Sequence, residues 1–195
     1  MPKHRFLICF FTFMITFSFF LLSSSALAYD TKALEAEAAQ VIQAFTKELK
    51  AELLAGLKAG GPVKAIEVCQ QKAPQIAKRV SAKTGWTMGR TSLRLRNPNH
   101  APDAWEQGVL ENFQVQAKEG ADPDSLVFSD LIQENGKTVF RMMKGIKVGG
   151  LCLKCHGSQL SPQLKERLVD LYPYDRATGF KAGDLRGAFT LEKRL

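Results

Sequence analysis

Residues 125–157, SLVFSDLIQENGKTVFRMMKGIKVGGLCLKCHG, decide how this chain is read. Two segments, 125–133 and 137–144, flank Asn135-Gly136. Asn-Gly accepts the positive φ that a two-residue hairpin turn demands, so the stretch predicts two antiparallel strands. Met142 and Met143 are neighbours in the second strand and must face opposite sides. Cys152-Leu153-Lys154-Cys155-His156 follows at once. C-x-x-C-H is the attachment pattern of a c-type haem: two thiols add to the porphyrin vinyl groups and the adjacent imidazole binds the iron. A zinc half-site would need two further ligands, and outside the motif residues 29–195 offer only Cys69, His100 and acids. A thioredoxin-like dithiol would open a helix after an early strand.

The N-terminus supports the motif independently. Met1-Pro2-Lys3-His4-Arg5 is basic, Phe6 to Leu22 carries no charge, and Ala26-Leu27-Ala28 ends in the small-x-small pattern of a signal-peptidase site. Residues 1–28 read as a signal peptide and 29–195 as a single haem-binding domain in the periplasm. Membrane contact is expected only if the signal stays uncleaved. Cleavage removes Lys3 and Arg5 and no acid, so the formal charge of +8 becomes +6, interspersed with acids. That pattern excludes a nucleic-acid partner. Of the four cysteines, Cys9 leaves with the signal, and Cys152 and Cys155 are taken by the haem. Cys69 is then an odd thiol in an oxidising compartment.

Helical patterning dominates the first part of the domain. Leu34, Ala38, Val41, Ile42, Phe45, Leu49, Leu53 and Leu57 recur at three- and four-residue steps over 31–59, and Gly60-Gly61 stops the helix. Pro62 opens a second helix over 62–72, and Pro74 predicts a kink or restart. Ile66, Cys69, Ala73, Ile76 and Val80 fall on one inward stripe. Residues 85–96 lean towards strand, Asn97-Pro98-Asn99 is a turn, and Pro102-Asp103 opens a third helix carried by Trp105, Val109, Leu110 and Phe113. Residues 119–124 form a loop, Ser161-Pro162 caps a short helix to Leu171, and a last strand covers 187–193. Helices first, then strands with one inserted helix, is an α+β order. Small all-helical cytochromes carry C-x-x-C-H near the N-terminus, so the late position of the motif weighs against a plain electron carrier.

His156 is placed beneath the iron, and the other axial position has five candidates: Cys69, His100, Met88, Met142 and Met143. Strand methionines are ordinarily core filler, and a loop histidine is ordinarily solvated. Cys69 is weighed between a small buried hydrophobe and a ligand carried on an inward stripe just before a proline break.

Several stretches together resemble a known family of PAS-like, single-haem c-type proteins of cyanobacteria and proteobacteria, once filed as a domain of unknown function. They are Ala65-Ile66-Glu67-Val68-Cys69 with Ala73-Pro74, Arg96-Asn97-Pro98-Asn99 with Ala101-Pro102-Asp103, and Trp105-Glu106. The haem motif through Gly157, Tyr172-Pro173 with Asp175, and Gly183-Asp184-Leu185-Arg186-Gly187-Ala188 complete the set. The resemblance implies a PAS-like antiparallel sheet with an N-terminal helical extension and haem c packed between sheet and helices. It also implies one covalent haem held between His156 and Cys69. His100 stands where some members carry a small or apolar residue.

A thiolate is an anionic, strongly donating ligand that favours ferric iron, and reduction makes its protonation and release competitive. The expected function is redox or gas sensing, with CO or NO as the small ligand of the reduced state and a separate redox or signalling partner. Electron transfer by a periplasmic cytochrome c is the alternative, and oxidation of a sulfur compound, the enzymatic reading, is the third. Arg90, Arg94 and Arg96 are candidates to pair with the haem propionates, because Arg suits bidentate carboxylates.

Overall fold

In a computed structural model that describes residues 29–195, Asn135 and Gly136 take φ of 50° and 75° and close the hairpin between β2 (Val127–Glu134) and β3 (Lys137–Lys147). Glu134 pairs with Lys137, and the ladder runs to Val127 opposite Lys144. β4 (Leu185–Arg194) pairs antiparallel with the other edge of β3, and β1 (Thr87–Thr91) pairs antiparallel with β4. The sheet order is β1-β4-β3-β2. The expected signal peptide, 1–28, lies outside the described residues.

One face of the sheet is covered by α1 (Thr31–Glu67) and α2 (Ala73–Thr84). Leu34, Ala38, Val41, Ile42, Phe45 and Leu49 are the buried stripe of α1, and they meet Ile76, Val80, Trp86, Met88, Phe140, Met142 and Leu191. Each of the larger of these side chains stabilises the fold by roughly 1.5–3 kcal/mol through its burial. The expected stop at Gly60-Gly61 is a kink: both glycines leave helical geometry, Gly61 at φ 66°, and helix resumes through Pro62. Val68–Lys72 form a single π turn, in which Ala73 N–H bonds back to Val68 O. The widened turn gives the Pro74 ring room where a regular turn would press it onto the Gln70 carbonyl, so the helix passes into α2 without a break.

The opposite face is covered by α3 (Ala104–Lys118), whose Val109, Leu110 and Phe113 pack on Leu126, Met143 and Ala188. Asp103 caps α3 reciprocally with Glu106, at 2.8 and 3.0 Å. Met142 and Met143 lie on opposite faces, as alternation requires. α4 (Leu153–His156) is one turn, and α5 (Pro162–Leu171) starts at Ser161, as its cap predicts. The architecture is α+β, a four-stranded antiparallel sheet with a long N-terminal helix.

Strand bounds differ from the sequence reading where side chains hold the backbone away from the ladder. Only Thr87–Thr91 of 85–96 is strand, because Ser92 Oγ bonds the Arg94 N–H and draws the chain into a loop. β2 begins after a 3-10 turn, Pro123–Ser125, capped by Asp122. β3 and β4 are longer than expected, extending each other to Lys147 and Leu185.

Candidate cofactor site

Beyond the β1–β4 end of the main core, α1, the loop after β1, α4 and the start of β4 enclose a cavity of about 410 Å3. That volume is in the range of small-molecule and cofactor sites. Phe45, Leu49, Leu53 and Leu57 form one wall, continuing the stripe that builds the core, and Ile146 and Phe189 add apolar surface. Cys69, Cys152, Cys155 and His156 all line this space, with Arg90, Arg96, Arg186, His100 and Tyr172. Residues from four distant parts of the chain therefore meet here.

His156 is held by its outer shell. Nδ1 lies 2.6 Å from Ala177 O, which makes it the protonated nitrogen and leaves Nε2 with a free lone pair. The backbone is pinned as well, by Phe180 N–H to His156 O at 2.9 Å and Gly179 N–H to Gly157 O at 3.1 Å. The Phe180 ring stands edge-on to the imidazole, 6.3 Å between centroids. Burial, then Arg96 and Arg186, push the imidazole pKa down to about 2, so the ring is neutral at ordinary pH.

Cys69 is presented by the π turn and is half-buried. Burial raises its thiol above the usual range, while Arg90, Arg96 and Arg186 oppose the rise. Of the other distal candidates, Met88, Met142 and Met143 are core residues, 6%, 3% and 0% exposed, and none reaches the cavity. His100 does line it, in the 3-10 turn Pro98–His100, with its pKa lowered by burial and then by Arg90 and Arg186.

The three arginines singled out from sequence separate cleanly. Arg94 does not line the cavity: its guanidinium stacks on Phe180 at 4.0 Å and donates to the carbonyls of Arg176 and Thr178. Its Nε and Nη2 thus serve the loop that holds His156, away from the cavity. Arg96 lines the cavity but is a staple, donating to Asp175 at 3.0 Å and to Cys155 O at 2.7 Å. Arg90 lines the cavity over the Phe45 ring and has no carboxylate partner among the described residues. Arg186 was not singled out, and it is in the same position: Nη1 donates to Ser92 Oγ and Arg94 O, while the buried Nε has no partner among the described residues. Burial and the neighbouring arginines push its pKa down to about 10. Cations withdrawn from water are ordinarily paired, and Arg90 and Arg186, half-buried with no carboxylate partner among the described residues, together offer a site for an anion.

Sequence reasoning also passed over Ala177, Phe180 and Asp175 as site residues. Only the Tyr172-Pro173 and Asp175 stretch of the resemblance pointed near them. The donor set fits the expected group: two thiols able to add covalently, one neutral imidazole, a further thiol, and two cations for two carboxylates.

A family model described as Tll0287-like matches residues 24–192. Among solved structures, the "Crystal structure of the cyanobacterial heme-protein Tll0287" superposes with a TM-score of 0.60 and 24% identity, covering 84% of this chain and 95% of that one. At that identity the likeness is one of fold. No curated protein matches this chain.

Proposed function

The chain belongs to the Tll0287-like family, and from that membership and the cavity we propose that it is a monohaem c-type protein whose role is redox or gas sensing. In this reading Cys152 and Cys155 carry the thioethers, His156 is the proximal ligand, Cys69 is the distal ligand, and Arg90 and Arg186 take the propionates. The observation that carries it is convergence: thiols and an imidazole at α4, a thiol from the π turn and two arginines with no carboxylate partner among the described residues border one cavity. The name of the solved relative, a heme-protein, supports the same reading. A PAS-like character of the sheet, export through residues 1–28 and a periplasmic location belong to the proposal too, and the all-antiparallel order β1-β4-β3-β2 supports the first of these.

Bound here, haem would supply an iron that takes up one electron and can bind a small ligand. His156 and Cys69 would hold it, and the residues around them set how firmly. Ala177 O fixes the His156 tautomer, so the proximal side is constant. At Cys69 burial, which favours the neutral thiol, outweighs three arginines, which favour the thiolate. Positive charge on a bound haem iron would favour the thiolate, and its loss on reduction would favour the neutral thiol, so Cys69 is the side chain that would be released. The Gly60-Gly61 kink and the π turn bracket the segment that moves.

The test begins with attachment. Produced with a haem-ligation pathway, the full chain should keep one haem under denaturing electrophoresis, and Cys152→Ser with Cys155→Ser should keep none. Unchanged retention by the double variant, or no haem in the wild type, would contradict the proposal.

A further inference from the structure

Three thiols border one cavity, and the two motif thiols do not share surroundings. Cys152 packs with Val148, Ala177 and Phe180, on the side of the loop that holds His156. Cys155 packs with Ile66 and Tyr172. Ile66 lies one helical turn before Cys69, so Cys155 is turned towards the helical wall that carries the third thiol. The electrostatics agree: the Cys155 thiol is raised first by burial and next by Cys69, with Cys152 a smaller influence.

We propose that in the chain awaiting haem Cys69 and Cys155 form a disulfide, which ties the π turn to α4 and withholds one of the two thiols that the porphyrin needs. The chemistry is thiol–disulfide exchange with an external disulfide. One thiolate attacks the external disulfide, forming a mixed disulfide and releasing one external thiol. The second cysteine then displaces the other. Cys69 and Cys155 together lose two electrons and two protons, and the external disulfide leaves as two thiols. Haem attachment requires the reverse step, two electrons from an external dithiol, so loading is gated by reduction. The competing Cys152–Cys155 bond closes a much shorter loop and is favoured in an unfolded chain. Folding reverses that preference by placing the two motif thiols in separate clusters. The gating consequence rests on the haem reading above; the disulfide itself does not.

The experiment uses the full chain with Cys9→Ser, made without haem ligation, reduced, and then exposed to glutathione disulfide in native buffer and in concentrated urea. Free thiols are blocked with N-ethylmaleimide and the pairs identified by non-reducing peptide mass mapping. Native buffer should give mainly Cys69–Cys155 with Cys152 blocked, and urea mainly Cys152–Cys155. The ratio of the two pairs should change by on the order of tenfold or more. The same Cys152–Cys155 predominance in both solvents overturns the proposal, including when the cause is a haem-free chain that does not fold. Haem ligation of the oxidised chain should need a dithiol, and that of Cys69→Ser with its thiols unpaired should not. A reduced chain that takes up no covalent haem would defeat the haem reading and leave the disulfide result standing.

Discussion

Which arginines lack a carboxylate partner is what sequence patterning alone could not assign. Three arginines cluster within seven positions around β1, and nothing local says which are already engaged. Arg94 is committed to Phe180 and to two carbonyls beyond residue 175, and Arg96 to Asp175; both commitments are long-range. Arg186, far along the chain, is left uncompensated beside Arg90. In the proposed haem site, removing a cation would make electron uptake harder. Arg186→Gln should therefore lower the reduction potential by roughly 50–100 mV, the scale of a unit charge at about 8 Å with an effective dielectric of about 20. Potentiometric titration reads this, and an unchanged or raised potential would remove Arg186 from the site. Cys69, by contrast, was legible: an odd thiol on an inward stripe before a proline break stands out in the sequence, and the structure puts it on the cavity wall.

At the scale of elements, the patterns that were readable are those decided by local chemistry. The Asn-Gly turn, the Asp103 and Ser161 caps and the stripe of α1 depend on residues a few positions apart, and each forms where expected. The π turn was not readable, because a proline break and a proline accommodated by a wider turn look alike until α2 is seen packing on the core. Two glycines make this level testable. Gly136→Ala places a Cβ at φ 75° and should cost about 1–2 kcal/mol in urea unfolding, with the haem spectrum intact. Gly187→Ala should cost more, since its Cβ would stand 2.3 Å from Thr91 O and 2.9 Å from Ser92 Cβ. It should also disturb the Arg186–Ser92 contact, so its reduction potential should shift where that of Gly136→Ala does not. Equal potentials for the two variants would show that the β1–β4 junction does not set the site.

Across the whole molecule, α1 is the element shared by core and cavity: Leu34 to Leu49 build the first, and Leu49, Leu53 and Leu57 wall the second. The α+β order was legible from the succession of patterns, whereas the strand order and the meeting of α4 with the π turn are tertiary facts. The buried His156 also gives the whole fold a pH dependence before haem is attached. Its folded pKa of about 2 lies below the unfolded value near 6.5, so the unfolded chain binds the extra proton. Stability is therefore full above about pH 6.5 and falls as pH drops towards 2, by up to about 1.4 kcal/mol per pH unit from this group. His100, lowered in the same direction, adds to the slope. Urea midpoints between pH 7 and 4 should fall steadily, and a flat profile would mean that the imidazole is solvated. In the loaded protein, reduction should open the distal position, so CO should shift the Soret band of the ferrous form and leave the ferric form unaltered. Ferrous protein that ignores CO would argue for electron transfer instead.

The central claim, a haem held between His156 and Cys69, is tested most directly by the ferric EPR spectrum of the wild type beside Cys69→Ala. The wild type should give a low-spin thiolate signal of narrow g-spread, and Cys69→Ala should lose it, turning high-spin or taking the broader pattern of His100 ligation. A low-spin signature unchanged in Cys69→Ala would contradict the account.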